Sequence, residues 1–180
     1  MKEPNSEEEI QVFHNLLRSD TRSYLRIVNA WIDENPKNSN AYFERHFAWM
    51  NMGEHQRALN DLDKVIELDH NAHPIVFMTR GEVYRCLGQY EAALHDFDRG
   101  EAIDPDQWEN DIVFGLLFQA DSHAHLGNEA AALACCARLP DDFWTPGIAD
   151  APRGNKAEVA SELRRIAVDA RRKQARLDEG

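Results

Sequence analysis

Apolar residues recur along this chain at three- and four-residue intervals, the period of an amphipathic helix. Ile10, Phe13, Leu16 and Leu17 make one stripe, and Tyr24, Val28, Trp31 and Ile32 make a second. Phe77, Gly81 and Tyr84 fall at i, i+4 and i+7 of another, and Leu94, Phe97 and Ile103 continue it beyond Gly88. Met52-Gly53, Leu87-Gly88 and Leu126-Gly127 interrupt the pattern, where a permissive glycine backbone ends one helix and starts the next. Pro105 and Pro140 are placed to stop second helices. The predicted unit is a helix, a short glycine turn and a second, antiparallel helix.

The unit repeats. Gly53 and Gly88 lie 35 residues apart, and the text after each runs in parallel. Ala58, Leu59, Asp61, Leu62, Asp63 and Leu68 in one copy match Ala93, Leu94, Asp96, Phe97, Asp98 and Ile103 in the next. A looser copy follows Gly127, a further 39 residues on, which predicts a longer first helix there, with Asp106 and Glu109 as a cap-like start and Gly115 inside it. Residues 5–38 read as a degenerate first copy opened by a Ser6–Glu9 capping box. Residues 141–154, with the Pro146-Gly147 turn signal, read as a loop. Asn155 and Glu158 then open a last helix with a narrow stripe of Val159, Leu163, Ile166 and Ala170.

This pattern resembles the tetratricopeptide repeat family. The match is strongest over residues 74–107, at Phe77, Gly81, Tyr84, Gly88, Tyr90, Ala93, Phe97 and Pro105. Over residues 39–72 the matching positions hold Tyr42, Trp49, Gly53, Ala58, Leu62 and Val65. Two departures stand there: His46 replaces the small residue of the first helix, and His70 replaces the terminal proline. His46 is expected to mean a looser helix contact or a hydrogen-bonded core histidine. The resemblance implies an all-α fold, a right-handed superhelical solenoid of antiparallel helix pairs over residues 1–140, with copies at 5–38, 39–72, 74–107 and 108–140. The loop 141–154 and a capping helix over 155–180 would close it.

Members of that family usually bind extended peptides or helices on a concave surface made by the first helices of each pair. By that analogy the groove would present Phe43, Phe47, Met50 and Asn51, then Met78, Glu82 and Arg85, then Phe114, Leu117, Phe118 and Asp121. These large apolar side chains exceed what a solvated face requires. Competing occupants are the chain's own final helix, the Phe143-Trp144 loop, or a second copy in a homodimer. Some relatives grip C-terminal carboxylates through a lysine/asparagine clamp, but Phe43 and Phe47 stand at the matching positions, so that mode is not expected. The role implied is a protein-interaction adaptor with a protein or peptide partner.

Charge refines this picture. The chain of 180 residues has a formal net charge of -12. Residues 61–150 carry most of the acid, and residues 151–180 are mildly basic. So negative a balance argues against a general nucleic-acid binder. The longest apolar run, Ala130 to Ala137, is far too short for a membrane span, and the N-terminus has no apolar leader. The 3 cysteines, Cys135 and Cys136 adjacent, fit a reducing compartment, so a cytoplasmic location is expected.

Candidate chemistry is sparse. The phosphate-loop, nucleophile-elbow and zinc-protease signatures are absent from the sequence. His123 and His125 would point roughly 200° apart on a helix. His70 and His73, with Asp69, flank a turn and make the nearest approach to a metal site. Cys135 and Cys136 lie in a segment that reads as a buried helix, where thiols act as small hydrophobes. The recurrent acids Asp61, Asp63, Asp96, Asp98, Asp104 and Asp106 read as a solvated outer face of second helices. Arg164, Arg165, Arg171, Arg172, Lys173 and Arg176 invite a nucleic-acid reading, but lack interleaved aromatics and read better as offsetting nearby acids. No catalytic residue, cofactor or metal is therefore expected. The alternatives to an adaptor are an enzyme or enzyme subunit with a carboxylate/histidine cleft, and nucleic-acid contact through the basic helix.

Overall fold

The computed structural model describes residues 3–4, 6–104, 113–147 and 150–179. The expected stop at Pro105 and the cap at Asp106 and Glu109 lie outside them. The chain divides into two compact units, residues 1–72 and 73–180.

The first unit is built from α1 (Glu7–Ser19), α2 (Thr21–Glu34), α3 (Ser39–Asn51) and α4 (His55–Leu68). Each helix packs on the next in sequence. Ser6 caps α1 through the Glu9 amide, as the sequence predicts. Only Asp20 separates α1 from α2, and its carboxylate receives the Ser23 amide as the next N-cap. The degenerate copy is thus a real helix pair, turned by an aspartate where the later copies use glycine. Phe13 stacks on Tyr24 at 4.3 Å and meets Trp31 at 4.9 Å, and with Val28, Ile32, Ala41 and Ala48 these rings form the core.

The second unit contains α5 (Pro74–Cys86), α6 (Tyr90–Ile103), α7 (Val113–His125), α8 (Glu129–Arg138) and α9 (Lys156–Asp178). Gly53, Gly88 and Gly127 have φ of +72°, +72° and +77°, so all three predicted glycine turns adopt the left-handed conformation that only glycine enters cheaply. Pro74 opens α5, where its missing N–H costs nothing. Asn155 and Glu158 form the expected capping box at α9. This last helix packs on both α7 and α8. Its buried stripe is Val159, Leu163 and Ala167, with Ile166 and Ala170 half-buried, a shift of one residue from the predicted line.

Three expectations are corrected. Residues 141–154 are not all loop: β1 (Trp144–Thr145) and β2 (Gly154–Asn155) form an antiparallel ladder pairing Trp144 with Asn155 and Thr145 with Gly154. The segment 130–137 is not a buried helix, because only Ala132 and Cys136 are fully buried. Ala131, Leu133 and Cys135 are half-buried, and Ala130, Ala134 and Ala137 are exposed.

The third correction concerns the acids. Asp61 and Asp96 are buried at 4% and 1% exposure, whereas Asp63, Asp98 and Asp104 are exposed as predicted. Asp61 receives Arg45 Nε at 2.8 Å and Nη2 at 2.6 Å, and Asp96 receives Arg80 Nε at 2.6 Å and Nη2 at 2.7 Å. A buried carboxylate needs such a bidentate partner, since leaving water unpaired is costly. Each pair joins the two helices of one copy, and copy and pair recur at the same spacing.

Candidate functional site

The helix pairs carry different side chains at their closest positions. At Gly81 an added Cβ would lie 2.4 Å from the Phe97 ring, so the ring of α6 sits directly on the backbone of α5. In the preceding copy the same two positions hold His46 and Leu62, both buried. In the following copy they hold Ala120 and Cys136, buried likewise. The pairing thus differs from copy to copy: two bulky residues at His46 and Leu62, a glycine under a ring at Gly81 and Phe97, and two small residues at Ala120 and Cys136. That residue is the hydrogen-bonded core histidine of the two options: its Nδ1 meets the Phe43 carbonyl, and burial pushes its pKa down to about 4.

The first unit carries an aromatic face on α3. Phe43, Phe47 and Met50 are half-buried, and Asn51 is exposed, its amide donating to the Leu17 carbonyl at 3.4 Å. Phe43 and Phe47 meet edge to face at 5.5 Å, with the His46 ring 4.8 Å from the first and 3.9 Å from the second. None of Phe43, Phe47 or Met50 belongs to the core cluster of this unit. Beside them Tyr24 donates its hydroxyl to Glu44 Oε2 at 2.5 Å, and burial together with that carboxylate pushes the phenol pKa far upward. A small cleft of about 200 Å³ includes Phe43, Glu44, Ile10, His14 and Trp31.

In the second unit the predicted groove positions divide. Met78, Glu82 and Phe114 are half-buried, but Arg85, Leu117, Phe118 and Asp121 are buried. Arg85 Nη1 donates to Asp121 Oδ2 at 2.8 Å, with exposures of 4% and 0%, and the guanidinium lies 4.9 Å over the Phe118 ring. Burial raises the Asp121 pKa against the pull of Arg85 and His125. His125 stacks on Tyr90 at 4.5 Å and reaches Asp121 Oδ1 at 3.6 Å. The cover over these residues is the chain itself: Phe143 packs edge-on against Phe114 at 6.1 Å, and Val159, Leu163 and Ala167 of α9 join Leu117 and Phe118 in one core cluster.

Side chains that could do covalent or metal chemistry are dispersed. Among the described residues no three of His, Cys, Asp or Glu gather as metal ligands. His73 caps α5 through the Ile75 amide, and His70 is exposed. Burial raises the thiol pKa of Cys86, Cys135 and Cys136, which suppresses the reactive thiolate. In the basic helix, Arg165 bonds Glu162 and Asp169, Arg171 bonds the Gly127 carbonyl and Glu129, and Arg172 lies 3.7 Å from Asp169. No helix among the described residues is long and apolar enough to cross a membrane.

Sequence reasoning missed the arginine–aspartate pairs, although Arg45 and Arg80 stand 35 residues apart, each 16 residues before its aspartate. It also missed the Tyr90–His125 stack, which the repeat register does not encode.

No family model and no curated protein matches the sequence. Solved structures do match in three dimensions. The chain is similar to MamA, with a TM-score of 0.63, 15% identity and coverage of 88% of this chain and 93% of that one. It is similar to YrrB, described as a TPR protein with an unusual peptide-binding site, with a TM-score of 0.62, 18% identity and coverage of 87% and 78%. A thermophilic TPR protein of Thermus thermophilus gives a TM-score of 0.55, 15% identity and coverage of 90% and 88%. With its repeated helix pairs, left-handed glycine turns and Gly81–Phe97 contact, the chain has the all-α tetratricopeptide-repeat fold.

Proposed function

We propose that this protein is an interaction adaptor that acts by binding, not catalysis, and that it holds a peptide or helical segment of a partner protein against its first-helix faces. The observation that carries the reading is the α3 face. Phe43, Phe47 and Met50 lie together, half-exposed, yet outside the core they would otherwise stabilise. Apolar side chains left outside a core and grouped on one helix face are the anchors of a helix- or peptide-binding surface. YrrB, a neighbour in fold, is described as having a peptide-binding site, which supports the same reading. Met78, Glu82 and Phe114 extend the candidate set on the second unit, while Arg85, Leu117, Phe118 and Asp121 serve as its support.

The raised thiol pKa values and the scattered histidines speak for binding over chemistry. A reducing, cytoplasmic setting accords with the free cysteines. A second copy of the chain is one partner that would fit the α3 face, and nucleic acid is disfavoured because much of the basic helix is already paired.

The test is capture of partner proteins by the wild type and by the Phe43→Ala/Phe47→Ala double variant, identified by mass spectrometry. Loss of the specific partners from the variant, with unchanged helical circular dichroism, is the expected result. Identical partners retained by both proteins would refute the assignment of the face.

A further inference from the structure

The second unit covers its own candidate groove. Phe43, Met78 and Leu117 occupy one position of the repeat, 35 and then 39 residues apart. The first two are half-buried, whereas Leu117 is 0% exposed. What differs at Leu117 is the return of the chain after α8. Phe143 and Ala151, both buried, join Leu117 and Phe118 in one core cluster, and the Phe143 ring meets Phe114 edge to face at 6.1 Å. Thr145 and Pro152 are buried as well, while Trp144, Pro146 and Arg153 are exposed. From Phe143 to Pro146 the side chains therefore alternate between inward and outward, as those of an extended peptide do when it lies on a surface.

This segment is held more lightly than the last helix, which shares the same cluster. Val159, Leu163 and Ala167 of α9 all lie at 0% exposure. Among the described residues of the segment, Phe143 is the one large apolar side chain inserted, and its other ring, Trp144, is 64% exposed. The hydrogen bonds of these residues are local. The Phe143 amide donates to the Pro140 carbonyl at 3.1 Å, the Gly147 amide donates to the Thr145 hydroxyl at 3.2 Å, and Trp144 and Thr145 pair with Asn155 and Gly154. Asp150 holds a φ of +63°, the left-handed region that a residue with a Cβ enters at a cost. Segments with few buried apolar contacts and only local hydrogen bonds open at lower free energy than the core beneath them.

We propose that Phe143, Thr145, Ala151 and Pro152 belong to an autoinhibitory strap, a built-in ligand on the groove of the second unit, and that a partner segment displaces it by seating an aromatic side chain of its own in the place of Phe143. The strap displays the chemistry that the groove accepts, an aromatic anchor in extended backbone with small uncharged neighbours turned inward. A partner competes with this tethered occupant, so its apparent affinity is reduced to the fraction of chains in which the strap is open. This deepens the adaptor reading and rests on it, since it names the segment that the adaptor holds and what controls access to the site.

The probe is a synthetic peptide with the sequence of residues 139–155, titrated into the full chain by calorimetry. Phe143→Ala vacates the anchor site, so the variant chain should bind the peptide at least about tenfold more tightly than the wild type does. The same peptide carrying Phe143→Ser should bind neither chain. In the wild type, about 2 mM of the unaltered peptide should shift the indole N–H resonance of Trp144, which rides on the strap. The resonance of Trp31, in the core of the first unit, should stay in place. With a variant that keeps its helical circular dichroism, equal affinity of the two chains, or binding that is indifferent to the peptide's phenylalanine, overturns the inference. If Phe143→Ala fails to fold, the wild type decides, and a Trp144 resonance unmoved at that concentration overturns it. Capture of partner proteins separates this inference from the adaptor reading. Capture increased by Phe143→Ala supports the strap, whereas capture left unchanged by Phe143→Ala and abolished by Phe43→Ala/Phe47→Ala refutes the strap and keeps the adaptor.

Discussion

At the scale of single residues, the repeat is tuned by exchanged volumes. At Gly81 the Phe97 ring occupies the space a side chain would need, and the preceding copy holds His46 and Leu62, both buried, at the same two positions. Gly81→Ala should therefore destabilise the second unit by about 2 kcal/mol, the usual cost of overpacking. Gly81→Ala combined with Phe97→Leu should recover much of that loss in urea unfolding, whereas simple additivity of the two would show that the positions do not compensate. His46 makes a prediction in pH. Its folded-state pKa sits near 4, below the ordinary imidazole value of 6.5, so the unfolded chain takes up a proton that the native state refuses. Its contribution is complete above about pH 6.5 and is lost progressively as the pH falls towards 4, by about 3 kcal/mol in all. Urea unfolding at pH 7 and pH 5 should show this loss, and His46→Leu should flatten it.

At the scale of helices, a buried arginine–aspartate bridge replaces part of the apolar contact in two successive copies. Removing one partner strands the other, so Arg80→Met should cost about 3 kcal/mol. The third copy holds Gln119 and Cys135 at these positions, with Gln119 turned to Asp98 and Glu101. Arg80→Gln with Asp96→Cys copies that solution and should be less damaging than Arg80→Met alone, as read by the urea midpoint. The helices themselves were legible in the sequence, because their stripes and glycine turns are local signals. The bridges were not, because acids at i and i+2 on one helix look solvated until the opposite helix supplies an arginine. The short ladder at Trp144 and Asn155 also escaped notice, since a pairing of two residues has no periodicity to detect. Of the proposed groove residues, Phe43, Phe47 and Met50 share one half-exposed face of α3, which helix register alone predicts. The burial of Leu117, Phe118 and Asp121 does not, because it depends on where Phe143 and α9 return, which no local pattern specifies.

At the scale of the molecule, the charge of -12 is separate from the internal acids, because Asp61, Asp96 and Asp121 are each neutralised by an arginine and add nothing to it. Among the described residues, Asp63, Asp98 and Asp104 are examples of acids on exposed positions, where negative charge favours solubility and speeds encounter with cationic partners. The first unit presents an aromatic face on α3, and the second has half-buried Met78 and Phe114 at the corresponding helix positions. The central claim is that the first-helix faces bind peptide, and methionine methyl resonances report on them directly. Met50 lies on the α3 face, Met78 on the α5 face, and Met52 at the turn that follows α3. On titration of the methyl-labelled protein with a peptide from a partner protein captured by the wild type, the resonance of Met78 or Met50 should shift saturably while that of Met52 stays in place. Saturable binding that moves Met52 and leaves both Met50 and Met78 unperturbed would contradict the account.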